Sequence, residues 1–522
     1  MTMEQLSPCP SCGNPYGRGV LLRNLDDTSA PFDHTAAFSH LRSGYIPTNE
    51  EKAPMLSTIQ KQTAKLRLVN EELGRMKSLV DQLEARRSDL ELQISYQSGL
   101  LAPIRQLPDE LLVEIMLFWS RGKVDVCSPK SDVWNIEKVC KRWRSIATST
   151  QEIWSSIDVF LGSLTPYTDT GISVEVATRL LSRCLQRSGH HALSVRFLEI
   201  GSSSLFTKTF KLLSAFSHRW ERLSFSLSLI QGSPNLENGL TTLRYLSLSG
   251  SYKGLDRLHS FRHAQLLSQL HLFSVTKPFR SLVLPWLQLT RFKSAFCEFR
   301  TGEFFEILRH MPNLVEFSSK WNRGLSKTDA NYLQPIHFRS LRSFEIEASA
   351  SELPIILQPL TMPSLSDLYI HTEQSTTTSL YIHLANFTVN AIRRSLCAIT
   401  TLSLFFVNPA CISIILEAVP TLKFLYLGYI TGVETIIRSL SKSESLVPNL
   451  ENFSLTCKPN QGMFSVGPLV ELVKVRRRRF SECFRSLDLT LKEEKGVGAI
   501  AEVLKPLSND YGIAIVIHAL PV

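Results

Sequence analysis

One spacing restricts what this chain can fold into more than any other feature: apolar, two spacers, apolar, one spacer, apolar. Copies begin at Trp154, Trp220, Leu243, Leu267, Leu341, Leu365, Ile399, Leu422, Leu450 and Phe484, with weaker ones at His190, Leu289 and Leu314. Most starts lie about 22 to 34 residues apart, a period at which one unit cannot bury its own apolar edge and must stack on its neighbours. A second marker keeps register with the first: MPNL at Met311, MPSL at Met362, VPTL at Val419 and VPNL at Val447. In each, a helix-like apolar run meets a proline that stops it, and a strand pattern follows. The predicted unit is a helix, a turn and a short strand. Stacked units make an α/β solenoid over residues 158–522, with a parallel sheet on the concave face, helices outside and right-handed crossovers.

Such a concave face presents every second side chain and offers a broad surface without a deep pocket. Ser224, Arg244, Tyr245, Ser247, His271, Glu345, Tyr369, Ser403 and Tyr426 are the outward positions expected to line it. Their mix of charge, hydroxyl and ring suits protein recognition; a solvated surface without a partner is the alternative for each one.

Ahead of the array the pattern differs. Residues 1–55 are rich in Gly, Pro, Ser, Asn and Thr and read as a disordered tail. The tail holds CPSC, with Cys9 and Cys12, and His34 and His40 follow. A structural zinc site needs four converging ligands and a lone CxxC supplies two, so zinc ligation and an unliganded tail both stand. Residues 56–101 carry a heptad: Ile59, Leu66, Leu73, Val80, Arg87, Ile94 and Leu101 form one seam, and Gln62, Val69, Met76, Leu83, Leu90 and Gln97 the other. Charged and amide residues flank both seams, as in a coiled-coil helix. It either pairs, with itself or a partner, or folds back on its own protein.

Residues 102–157 form a third pattern. Pro108 suits a first helical turn, Asp109 and Glu110 complement the positive helix end, and Leu111, Leu112, Ile115 and Trp119 recur at helical spacing. RGKVDVCSPKSD, residues 121–132, reads as a loop. Ile136, Val139, Cys140, Trp143 and Ile146 give a second apolar face, and Trp154 closes the segment. Two or three short helices here carry more apolar surface than some fifty residues can bury internally.

The ordered set of Leu107, Pro108, Glu110, Leu111, Leu112 and Ile115, then Val139, Cys140, Lys141 and Trp143, then Trp154, resembles an F-box. The array behind it resembles the irregular leucine-rich repeats of F-box proteins, although the asparagine that usually follows the strand is absent from most copies. The whole arrangement is similar to the large F-box families of mushroom-forming fungi. The resemblance implies that a SKP-family adaptor of a cullin-based ubiquitin ligase covers the surplus apolar surface. By the same resemblance Leu107, Pro108, Leu111, Leu112, Ile115, Val139, Cys140 and Trp143 contact or support that adaptor. Read from periodicity alone, each is equally a core residue of a small helical domain. On this reading the array binds a protein client, with Arg244, Tyr245, His271, Glu345, Tyr369 and Tyr426 as its contacts.

Other classes are disfavoured. No run of about eighteen apolar residues marks a membrane span, and the first residues lack a secretory layout, so an intracellular protein is expected. Ten cysteines lie mostly alone in apolar patterns, which suits reduced thiols. The net charge of +10 is spread along the chain, so nucleic acid is an unlikely partner. KVRRRRF, Lys474 to Phe480, either binds phosphate or directs nuclear import, or ends a repeat helix in solvent, and the last reading is preferred. No nucleotide-loop, zinc-protease or nucleophile-elbow motif occurs, so neither catalysis nor a cofactor is expected. The expected function is substrate recognition for a ubiquitin ligase; the alternative is a coiled-coil-dimerised scaffold outside one.

Overall fold

A computed structural model describes residues 34–519, except 121–122, 129–131, 161–173, 199–203, 228–235, 237–238, 251–258, 276–281, 298–300, 322–333, 374–377, 431, 444, 458–465, 481–482 and 492–493. Cys9 and Cys12 lie outside the described residues. The chain divides into two units, one ending at Pro108 and the other opening at Asp109. Within the first, α1 spans His34–Arg42 and α2 spans Asn49–Leu101. The long helix therefore opens seven residues before 56. Its start is fixed by a capping box: the Glu51 carboxylate accepts from the Thr48 N–H and hydroxyl at 2.8 Å, and Tyr45 donates to it at 2.7 Å. These hydrogen bonds, led by the Thr48 amide, hold the Glu51 carboxyl below its ordinary range. Pro103 follows the end of α2, and a 3₁₀ turn takes over at Pro103–Gln106.

The second unit opens with three helices, α3 (Asp109–Ser120), α4 (Asp132–Val139) and α5 (Lys141–Ser149). Among the described residues it continues as a fifteen-stranded sheet, parallel throughout, with its strands in chain order and helices between many of them, beside a separate parallel pair, Ile336–His337 with Leu360–Thr361. That order is compatible with a solenoid. The recurring triads explain it, because their second and third residues align across neighbouring strands: Leu246 faces Leu270 and Leu248 faces Leu272, then Leu402 faces Leu425 and Leu404 faces Leu427. These side chains are fully or almost fully buried and form one elongated core. The helix Val433–Lys442 shows how a covering element is made, since Val433, Ile436, Ile437 and Leu440 fall on one buried face. No described helix is long and apolar enough to cross a membrane.

Four expectations change. The segment read as a loop after α3 contains the first strand, β1 (Val124–Asp125), which pairs with β2 (Ser156–Phe160). The copy assigned to His190 is framed two residues late, at Ala192, because Val195 and Phe197 align with Ile157 and Val159. The helix–turn–strand unit does not hold throughout: between Ser226 and Tyr245, Ser249 and Gln269, and Phe273 and Arg291, no α-helix occurs among the described residues. The fourth change concerns the arginine run. Arg476 is only 1% exposed, and its guanidinium donates to the carbonyls of Leu440, Val447 and Leu446 at 3.1, 2.9 and 2.8 Å. The run does end a helix, Gly467–Arg479, but Arg476 is core while Arg478 and Arg479 are exposed.

Arg476 belongs to a recurring device. Arg219 donates to the carbonyls of Ser188 and His191, and Arg394 to those of Leu357 and Leu360. In each case an arginine from a later unit donates to carbonyls where an earlier segment turns; of these, Ser188 and Val447 also accept from the His191 and Leu450 N–H groups. Burial is the first cause that lowers the pKa of Arg219, Arg394 and Arg476, the last to about 10, which leaves Arg476 charged at neutral pH.

Two serines occupy the inward third position of the weaker triads at Leu289 and Leu314. Ser294 and Ser319 are buried, face each other in register, and their hydroxyls are hydrogen-bonded at 2.8 Å. Ser294→Ala is expected to cost about 1–2 kcal/mol because it strands the Ser319 hydroxyl, whereas adding Ser319→Ala removes the stranded group. A urea-unfolding cycle checks this: the double variant should be less destabilised than the sum of the two singles.

Candidate functional site

α3 has two apolar faces, and only one is covered. Leu112 and Met116 are fully buried and Ser120 nearly so, turned toward the helices α4 and α5 that α3 packs against. Leu111, Ile115 and Phe118 follow one another at four- and three-residue steps along another face. There Leu111 is 50% exposed, Ile115 is half-buried and Phe118 is 87% exposed. Trp119, beside them, is also exposed. A helix that leaves this much apolar surface in water has its second face available for a partner.

α4 and α5 repeat the division. Val133, Trp134 and Ile136 are buried, while Val139 at the end of α4 is 54% exposed. Cys140 then caps α5, its sulfur accepting from the Trp143 N–H at 3.4 Å. Trp143, Ile146 and Ala147 face inward. Asp109 at the start of α3 accepts from the Arg142 Nε at 2.9 Å, tying the two helices at their exposed ends.

Trp154 locks these helices to the array. It is completely buried, donates its indole N–H to the Ala147 carbonyl at 2.6 Å and lies 5.3 Å from the Trp134 ring. The Arg187 guanidinium lies over the ring, 4.3 Å from its centroid, and pairs with Glu137 of α4. Trp134 in turn donates to the Asp125 carbonyl in β1 at 3.3 Å.

The eight residues singled out in sequence thus fall into three groups. Pro108, Leu111 and Val139 are exposed; Leu107, Ile115 and Cys140 are half-buried; Leu112 and Trp143 are buried. Leu107 and Pro108 belong to the N-terminal unit and the others to the second. Sequence reading missed Phe118, the most exposed apolar side chain of α3, although its seven-residue step from Leu111 was visible.

On the sheet, register places Ser224, Ser247, His271, Lys293, Ser318, Glu345, Tyr369, Ser403 and Tyr426 in one row. His271, Glu345, Tyr369 and Tyr426 therefore share a line across the sheet. Tyr245 lies two residues before Ser247, in the adjacent row on the same face. Arg244 does not join them: it precedes its strand and pairs with Glu221 at 3.6 Å, which puts it at the rim. Ser403, though in the row, is buried. Burial, then the Lys293 charge, lowers the pKa of His271; burial, then Asp367, raises that of Tyr369. Lys293 and Ser318 are the row members sequence reading passed over, because their triads are the weak ones.

Burial pushes the thiols of Cys184 and Cys411 up to about 12 and that of Cys457 to about 11, which keeps them protonated and unreactive at neutral pH. Among the described residues no three His, Cys, Asp or Glu side chains gather as metal ligands.

None of the curated proteins compared with the chain matches it. Residues 104–159, from the 3₁₀ turn through α3, α4 and α5 to β2, match the model of the F-box-like family. The chain therefore carries an F-box-like domain, a module that generally binds SKP-family adaptors and points in general to a ubiquitin-ligase adaptor role.

Proposed function

We propose that this chain is the substrate-recognition subunit of a cullin-based, SCF-type ubiquitin ligase. The observation that carries the reading is the uncovered apolar face of α3, Leu111 and Phe118 above all, within the F-box-like domain. A SKP-family adaptor covers that face together with Val139 and the Leu107–Pro108 entry, while Leu112 and Trp143 support it from beneath. The array, read as irregular leucine-rich repeats of the kind found in large fungal F-box families, holds a protein client along the row containing His271, Glu345, Tyr369 and Tyr426. The chain makes and breaks no covalent bond in this mechanism. Holding client and ligase on one body raises the local concentration of client lysines at the charged ubiquitin carrier. Such a subunit works inside the cell, in cytoplasm or nucleus.

The uncovered length of α2 favours a second reading, a dimeric scaffold that acts outside a ligase. Cullin co-purification separates the two. The direct test is co-expression with the adaptor and pull-down of wild type against Leu111→Asp/Phe118→Asp, whose positions are exposed enough to accept charge without unfolding the bundle. The expected result is capture by wild type and none by the variant, with identical circular dichroism. Folded wild type that captures no adaptor, or a variant that captures it equally well, overturns the proposal.

A further inference from the structure

The helix α2 buries none of its 53 residues, yet it carries two apolar seams in phase for some six heptads. Ile59, Leu66, Leu73, Val80 and Ile94 on one seam, and Met76, Leu83 and Leu90 on the other, are all exposed. Apolar residues placed so regularly along an uncovered helix define a surface for another helix of the same pitch.

What fits that surface is written in its polar positions. We propose that α2 pairs with α2 of a second copy of this chain, parallel and in register. In that arrangement each polar seam residue meets its own counterpart, Gln62 with Gln62, Arg87 with Arg87 and Gln97 with Gln97, and every other layer is wholly apolar. An antiparallel pair overlapping over the same heptads sets Arg87 against Val69 or Met76, and Gln97 against Ile59 or Leu66. Amides in a parallel layer can hydrogen-bond each other. The Arg87 layer is tolerable because each guanidinium has a carboxylate on its own helix, Glu91 at 3.6 Å, and a stem long enough to carry the charge out to solvent.

The flanking charges agree. In a parallel pair the residue before each first-seam position faces, on the other helix, the residue five further along. That places Glu72 opposite Lys77 of the second copy and Arg86 opposite Glu91 of the second copy, twice each by symmetry. The remaining facing pairs, Thr58 with Thr63, Lys65 with Asn70, Leu79 with Glu84 and Gln93 with Ser98, contain no like charges. On their own helix Glu72 and Arg86 hold only exposed partners, Arg75 and Asp89, which can share them. The C-terminal half adds β-branched Val80 and Ile94 on the first seam and Leu83 and Leu90 on the second, the combination that favours two parallel strands over three or four. The dimer presents two F-box-like domains and two sheets in one particle, so a client with two recognition segments is held by avidity.

Sedimentation equilibrium of the full chain tests the pairing. The expected mass at micromolar concentration is twice the single-chain 58.9 kDa, falling to the single-chain value for Leu73→Glu/Leu83→Glu, which removes two seam layers without touching the second unit. Orientation is read separately: with Cys9 and Cys12 changed to serine, Gln62→Cys should give a reducible dimer under mild oxidation. Lys77→Glu alone should weaken dimerisation at least tenfold, and the swap Glu72→Lys/Lys77→Glu should restore it. A single-chain mass for wild type, or a dimer unmoved by Leu73→Glu/Leu83→Glu, overturns the inference. A dimer in which Gln62→Cys does not cross-link overturns its parallel register. Adaptor capture is scored on the same preparations and does not depend on either result.

Discussion

Arg476→Met is expected to destabilise the second unit by about 4 kcal/mol, while Arg478→Met, two residues along the same run, stays within about 0.5 kcal/mol of wild type. The two arginines differ only in where the helix Gly467–Arg479 places them. Arg476 supplies donors to three carbonyls in the segment that ends the preceding helix and starts the preceding strand, and all three are inside the core. Methionine fills a similar volume but donates nothing, so the Leu440 and Leu446 carbonyls lose the guanidinium while Val447 keeps only its bond from the Leu450 N–H at 3.3 Å, and a buried carbonyl left unpaired costs about 1–3 kcal/mol. Arg476→Lys should recover only part of the loss, since one ammonium cannot reach three acceptors spread around a planar fork. Urea unfolding followed by circular dichroism checks the series; equal midpoints for Arg476→Met and Arg478→Met would show that the buried guanidinium contributes nothing.

Trp154→Ala should be comparably severe, about 4 kcal/mol, with Trp154→Phe retaining roughly half of the stability. The indole packs against Trp134 and Arg187 and holds the Ala147 carbonyl, so its removal opens a cavity and takes a donor from that acceptor at once. On the proposed function the loss should also appear in adaptor capture, because α4 and α5 pack on this side chain through Trp134 and Ala147. Differential scanning calorimetry supplies the first readout and pull-down the second. A Trp154→Ala chain that melts within a degree or two of wild type would mean that the helices and the sheet are secured elsewhere.

The strands were legible because their signal is local and repeated: a triad such as Leu243, Leu246 and Leu248 specifies a face, a direction and a neighbour in six residues. The F-box-like helices were legible for a similar reason. Other features depend on contacts that no local spacing encodes. Leu111 and Leu112 are identical neighbours, and only the packing of α4 and α5 makes one of them core and the other exposed. Arg476 and Arg478 are likewise indistinguishable in sequence. Ser294 and Ser319 looked like flaws in two triads because each is intelligible only through the other, twenty-five residues away. Val124 and Asp125 are too few to show an alternation, and their pairing with β2 rests on burial of Val124 and Val126 beneath the sheet's first edge.

That short first strand has a consequence for reach. Because β1 arises between α3 and α4, the F-box-like helices and the row containing Tyr369 are joined through one hydrogen-bonded sheet. Distance from the F-box-like helices to any point on the sheet is then counted in strands. Tyr369 lies on the tenth strand of the sheet, nine steps from Asp125, or roughly 43 Å measured along the sheet at about 4.8 Å per step. On the proposed function, a client held further along would be carried outward by whole strand widths, so the array would act as a ruler that sets which client lysines come within range of the carrier.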